Sequence, residues 1–138
     1  MTPPTRHRYD CHVRFSDVDV YGHVNNVKYF EYYQEARLAF RVSLGRDTGE
    51  DGFRLVVARL DVDYKRPILF RAEPYLVESW VTRVGRSSFD ISSEIRDGDV
   101  LLSRAHAAMV SFDLGTQRSR PLTEGERRRL LEVAVLAG

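Results

Sequence analysis

Cysteine occurs once in these 138 residues, tryptophan once and methionine twice. The lone Cys11 excludes an internal disulfide and a multi-cysteine zinc site. Its place in an extended stretch reads as a packed core thiol rather than a nucleophile. Charge of one sign is also missing: 21 basic residues face 20 acidic ones, a formal net charge of +1, which gives no ground for nucleic-acid or membrane binding. No apolar run approaches the roughly 20 residues that a membrane-spanning helix needs. Met1-Thr2-Pro3-Pro4 leads into polar sequence and not into the apolar region of a signal peptide, so the expected location is the cytoplasm. The chain lacks a P-loop, a G-x-S-x-G elbow and an H-E-x-x-H pair. The expectation is therefore no metal and no redox cofactor.

What is present suits one compact core. With 43% hydrophobic and 30% charged residues, the length is enough for one domain, read as 1–138, and too short for two ordinary ones. His12-Val13-Arg14-Phe15 alternates as a strand would, and Tyr29, Tyr33, Ala36 and Phe40 fall on one helical face. Arg59 to Lys65 alternates strictly, with Pro67 ending the run. Tyr75 to Val84 and Phe89 to Arg96 flank the turn Gly85-Arg86-Ser87-Ser88 and read as a hairpin. Asp97-Gly98 signals a second hairpin into Val100 to Phe112. Thr123-Glu124-Gly125-Glu126 fits a capping box opening a helix with Leu130, Leu131 and Leu136. The implied class is α+β, with one long helix against an antiparallel sheet of about five strands and a short C-terminal helix.

The densest chemistry lies in Ser16 to Arg37, SDVDVYGHVNNVKYFEYYQEAR. It brings a carboxylate, a histidine and two asparagines to one helix start. Gly22 permits a tight turn, and Asn25 or Asn26 can cap the helix. The helix start offers free backbone N–H donors and a positive dipole end, which suit an oxyanion.

The pattern Asp17-x-Asp19-x-x-Gly22-His23-Val24-Asn25-Asn26-x-x-Tyr29, followed by Ala36-Arg37, resembles the signature of the hot-dog-fold thioesterases. The branches in view are 4-hydroxybenzoyl-CoA thioesterase, the Tol-Pal-linked acyl-CoA thioesterases and the acyl-ACP thioesterases. The resemblance implies a curved sheet wrapped around the long helix, and hydrolysis of an acyl-CoA to a free acid and coenzyme A in fatty acid metabolism. It implies Asp19 as the catalytic carboxylate, with His23 matching a histidine of the acyl-ACP branch. Tyr21 stands where that branch carries an asparagine, and Asn26 where the Tol-Pal branch carries a histidine. It also implies a homodimer or homotetramer with sites between subunits, and coenzyme A as part of the substrate rather than a cofactor. An acyl carrier protein is the alternative thioester donor.

Hydrolysis needs an attacking group, oxyanion donors and a groove. Asp19 can attack as nucleophile or act as general base on water, and the sequence does not separate these. The catalytic candidates are Asp19, His23 and Asn26; the backbone around Asn25, Asn26 and Val27 supplies the oxyanion donors. Tyr29 and the turn residues Arg86, Ser87 and Ser88 are candidate substrate contacts, the turn through phosphate recognition. Each has a plainer reading. Asp19 can be a turn former and Asn25 a cap; His23 can be a turn histidine, Tyr29, Tyr32 and Tyr33 core, and Arg86 to Ser88 a polar hairpin. Asp17 is read as structural, pairing with Arg14 or Arg37. His106 reads as a packed strand residue, and Arg127-Arg128-Arg129 as a solvated helix face or a phosphate attractor. A hot-dog dehydratase and a non-catalytic acyl-CoA-binding protein are the other classes open.

Overall fold

The structure is a computed structural model that describes residues 6–45 and 54–134. Its elements in chain order are β1 (His7–Cys11), a 3-10 turn (Phe15–Asp17), α1 (Lys28–Gly45), β2 (Leu55–Tyr64), β3 (Tyr75–Val84), β4 (Ser88–Asp97), β5 (Val100–Asp113), β6 (Arg118–Ser119) and α2 (Glu124–Val133). The sheet runs β1-β3-β4-β5-β2, every pairing antiparallel, with the two-residue β6 on β5. Register shifts at Val57/Arg59, Val81/Arg83 and Ile95/Arg96 mark bulges, which raise local twist and let the sheet bend around α1. This is the hot-dog arrangement.

The helix forms where the apolar spacing demands it. Tyr29, Tyr32, Tyr33, Ala36, Phe40 and Leu44 are all buried, so a single face carries the packing. The core divides along the helix into two clusters. One gathers Tyr29, Tyr32 and Tyr33 with Ile68, Tyr75, Val77 and Ile95 near the helix start. The other gathers Phe40 and Leu44 with Val81, Phe89, Ile91, Met109 and Leu130 near its end. Tyr33 is polar only at its tip, where its hydroxyl donates to Ser103 Oγ at 2.7 Å. The Ser103 hydroxyl in turn donates a hydrogen bond to the Asp63 carbonyl at 2.8 Å.

Several boundaries differ from the sequence expectation. The first strand is His7–Cys11, not His12 to Phe15, because the Arg14 backbone N–H is taken by the Asp17 carboxylate at 3.0 Å and leaves no ladder bond there. The second strand begins at Leu55, four residues before the alternating run, since Leu55 to Val57 also pair with β5. In the β4–β5 hairpin the two turn residues are Gly98 and Asp99, one position later than the Asp97-Gly98 signal; Gly98 takes a φ of +59°, as the first position of a II′ turn requires. The Thr123 capping box is present: Thr123 Oγ1 accepts from the Glu126 N–H at 3.1 Å, and Glu126 Oε1 accepts from the Thr123 N–H at 2.9 Å. Leu130 is buried and Leu131 is exposed, while Leu136 lies outside the described residues.

Cys11 is buried at the end of β1, and burial, with Asp17 nearby, pushes its thiol up to about 12. The thiolate is then negligible near neutrality. Native protein at pH 8 should resist iodoacetamide, and unfolding should restore one alkylation per chain, as read by intact mass.

Candidate active site

The loop from Val18 to Val27 is built on a buried carboxylate. Asp17 has 0% exposure. It accepts from the Arg14 guanidinium at 3.0 Å and 3.3 Å, from the Arg14 backbone N–H at 3.0 Å, and from the Tyr32 hydroxyl at 2.7 Å. Burial alone would raise its pKa, but the bonds from Arg14 and Tyr32 outweigh it and hold the carboxyl below the ordinary range. Arg14 continues to Glu31 on α1 at 3.1 Å. The pairing foreseen with Arg14 or Arg37 is thus made with Arg14. The Asp17 carbonyl then accepts the Asn25 N–H at 2.8 Å, so the same residue holds both ends of the loop.

Between these ends the chain makes a small hairpin. Val18 bridges Val24, the Asp19 N–H donates to the His23 carbonyl at 2.9 Å, and the Gly22 N–H to the Asp19 carbonyl at 3.0 Å. Gly22 has a φ of +76°, a left-handed turn position that suits glycine. Asp19 Oδ1 accepts from the N–H groups of Tyr21 at 2.8 Å and His23 at 3.1 Å. The carboxylate is exposed and locked at one oxygen, and Oδ2 carries no hydrogen bond among the described residues. The turn-forming reading and the chemical one meet in the same side chain. His23 is exposed, and it bonds Asp19 through its backbone rather than its ring.

The donors expected at the helix start are not equally available. The Asn25 N–H is spent on Asp17, and the Val27 N–H on Asn25 Oδ1 at 3.0 Å. Asn25 therefore closes a local turn ahead of α1, and the Asn26 N–H is left without a bond among the described residues. The Asn26 carbonyl is pinned by the Tyr64 hydroxyl at 3.0 Å, which fixes the orientation of the chain at this point. Tyr64 was missed by the sequence reading, because it closes a strand pattern and gives no sign of reaching the loop. Leu69 and Phe70 were missed too. Val24 N–H donates to the Ile68 carbonyl, Phe70 N–H to the Gly22 carbonyl, and Phe70 meets Phe15 edge-on at 5.9 Å. Phe15, Val20, Tyr21, Val27, Leu69 and Phe70 stay exposed and form an apolar rim around the loop.

Other candidates fall elsewhere. Tyr29 is core, packed edge-on against Tyr64 at 4.7 Å. Arg86 and Ser87 lie in the β3–β4 turn and Ser88 opens β4, beside the second core cluster, whereas the Asp19 loop lies by the first; β3 runs the length between them. One chain does not bring the turn and Asp19 together. Arg127 donates to the Gly85 carbonyl and so ties α2 to the β3–β4 turn, whereas Arg129 pairs with Glu132 within α2. His106 is exposed, not packed, at 3.1 Å from Ser92 Oγ through Nδ1. Among the described residues no group of three or more His, Cys, Asp and Glu side chains is placed to hold a metal ion. No helix there is long and apolar enough to cross a membrane.

Residues 13–130 match the thioesterase-like superfamily. The chain is 33% identical over 129 residues to the long-chain acyl-CoA thioesterase FadM of Escherichia coli, covering 89% of this chain and 95% of that one. A thioesterase of Thermus thermophilus solved with coenzyme A and Zn superposes with a TM-score of 0.76 at 32% identity, over 89% of this chain and 95% of that one. A predicted thioesterase of Bacillus stearothermophilus reaches a TM-score of 0.84 at 24% identity, over 97% of this chain and 100% of that one, which speaks for the fold. The chain belongs to the thioesterase-like superfamily and is a thioester hydrolase.

Replacing Asp17 tests the loop's anchor. Asp17→Asn loses the charge-assisted bonds and should cost about 2 to 3 kcal/mol at pH 7. Because the folded pKa is depressed, this stabilisation is full above the unfolded value of roughly 3.9 and is lost as pH falls through the folded value. Urea denaturation at pH 7, 5 and 3 should therefore show a difference between variant and wild type that shrinks only below about pH 4.

Proposed function

We propose that the protein hydrolyses an acyl-CoA, with Asp19 as nucleophile or general base and the Asn26 N–H as the principal oxyanion donor. The observation that carries this reading is the state of Asp19: among the described residues one oxygen is held by two backbone N–H groups and the other carries no bond, beside a helix start where the Asn26 N–H is unspent. Held this way, the carboxylate meets a carbonyl without first losing side-chain freedom. The developing oxyanion then gains a backbone donor and the positive end of α1. The leaving thiol of coenzyme A is a good leaving group, so the reaction requires no strong general acid and no resident cofactor. Water completes the cycle, either through Asp19 as base or by hydrolysing an acyl anhydride on Asp19. A long-chain acyl-CoA thioesterase among the relatives and coenzyme A in a solved neighbour support an acyl-CoA as substrate.

The proposed assembly is a homodimer or homotetramer. Phe15, Val20, Tyr21, Val27, Leu69 and Phe70 stay exposed by the Asp19 loop, a surface that a second copy can cover. Arg86 to Ser88 can serve coenzyme A only from a second copy, since their own chain holds them away from Asp19. Strand β2 is the edge suited to joining, ten residues long and paired only with β5 among the described residues.

Asp19→Asn keeps an oxygen acceptor for Tyr21 and His23, so it should fold normally while free-thiol release from acyl-CoAs falls by about 10²-fold or more. His23→Ala should lose less. Near-normal turnover of Asp19→Asn would overturn the assignment. No release from any acyl-CoA, with release from acyl carrier protein thioesters, would move the substrate to the carrier protein. Arg86→Ala should raise KM by about tenfold with kcat unchanged, the mark of a contact made equally in ground and transition states; an unchanged KM would remove Arg86 from the substrate site.

A further inference from the structure

Two buried hydroxyls take no part in the proposed reaction, yet they lead back to its site. Tyr33 and Ser103 are both 0% exposed, and a hydrogen bond of 2.7 Å joins them across the core from α1 to β5. The onward bond from Ser103 to the Asp63 carbonyl fastens the end of β2. The next residue, Tyr64, lies opposite Ser103 in the β2–β5 ladder. It packs its ring edge-on against the buried Tyr29 and extends its hydroxyl to the Asn26 carbonyl at 3.0 Å. Tyr64 therefore reaches the start of α1 from a backbone and a ring that are both held.

What it grips is a peptide unit next to the unspent donor. The Asn26–Val27 unit is tied at both ends, its carbonyl by Tyr64 and its N–H by Asn25 Oδ1 at 3.0 Å. The Asn25–Asn26 unit is tied through its carbonyl, which accepts the Lys28 N–H at 2.8 Å, while its own N–H, that of Asn26, carries no bond among the described residues. Peptide units are planar, and the φ and ψ of one residue are the only soft rotations between two of them. Holding both planes around the Asn26 Cα therefore sets the direction of the Asn26 N–H. A donor set in place before charge develops stabilises an oxyanion without reorganising. Without the Tyr64 hydroxyl, the second unit keeps one of its two ties.

We propose that Tyr64 is a positioning residue for thioester hydrolysis, its hydroxyl aiming the Asn26 N–H at the oxyanion by holding the Asn26 carbonyl. The proposal rests on the assignment of that N–H as oxyanion donor, and not on whether Asp19 is nucleophile or base. Tyr64 acts through a peptide unit and not on the reacting atoms, so its loss slows the chemical step and leaves substrate binding alone.

The test compares the wild type with Tyr64→Phe, which keeps the ring against Tyr29 and removes one hydroxyl. Hydrolysis of dodecanoyl-CoA should show kcat lower by about tenfold, less than the roughly 10²–10³ that loss of a whole oxyanion donor costs, with KM unchanged. Infrared difference spectra of a bound non-hydrolysable ketone, S-(2-oxotridecyl)-CoA labelled with carbon-13 at its carbonyl, supply the readout that a merely structural role would not move. The carbonyl stretch should fall on binding to the wild type and fall by less on binding to Tyr64→Phe. A shift retained in full by Tyr64→Phe, or an unchanged kcat, overturns the role of Tyr64 and leaves the Asn26 donor standing. No shift in the wild type removes the Asn26 donor itself, and the proposal with it. A lower mass for Tyr64→Phe in light scattering would assign the hydroxyl to a contact between copies and overturn the proposal too.

Discussion

A buried carboxylate with cationic and phenolic partners is the constraint on which the rest of this site depends. Asp17 is out of contact with water and would be costly there if unpaired. Arg14 and Tyr32 satisfy it from two elements, the segment after β1 and the first turns of α1. Because its backbone carbonyl also takes the Asn25 N–H, Asp17 sets where the loop leaves the sheet and where the helix begins. The hairpin from Val18 to Val24 closes over that base, and Gly22 lets it close in few residues. The two aspartates of the D-x-D pair thus divide their tasks by exposure. The buried one is structural; the exposed one keeps an oxygen free, as its proposed role requires.

The division of the core into two clusters has a functional counterpart. The cluster at the helix start supports the Asp19 loop through Tyr64 and the Ile68 to Phe70 segment, and the cluster at the helix end seats α2 through Leu130. Helix α1 connects them as a rigid rod of 18 residues, roughly 27 Å long at 1.5 Å per residue. The turn at Arg86 belongs to the far end as well, which is why a proposed coenzyme A contact there calls for a second copy.

Much of this was legible because the signals were local. Tyr29, Tyr33, Ala36 and Phe40 announced the helix by spacing, and Thr123 with Glu126 announced α2 by a capping box that forms as expected. The D-x-D-x-x-G-H pattern located the loop. Where reading failed, a hydrogen bond or a register that no residue pattern records decided the outcome. Alternation at His12 to Phe15 was overridden by the Asp17 carboxylate taking the Arg14 N–H. The hairpin at Gly98 moved by one residue because strand register, not the dipeptide, chose which residue took the positive φ. Tyr64 reaching Asn26 across 38 positions has no local signature at all.

The measurement that bears most directly on this account is the turnover of Asp17→Asn on an acyl-CoA, taken well below its melting temperature, where the variant is folded. Asp17 touches no substrate in the proposed mechanism and acts only by positioning the loop. Displacement of a reacting group by about 1 Å can cost 10²-fold. The account predicts a kcat reduced by about that factor while circular dichroism stays native. A folded Asp17→Asn with unchanged kcat would contradict it, because the loop would then hold Asp19 in place without its buried anchor.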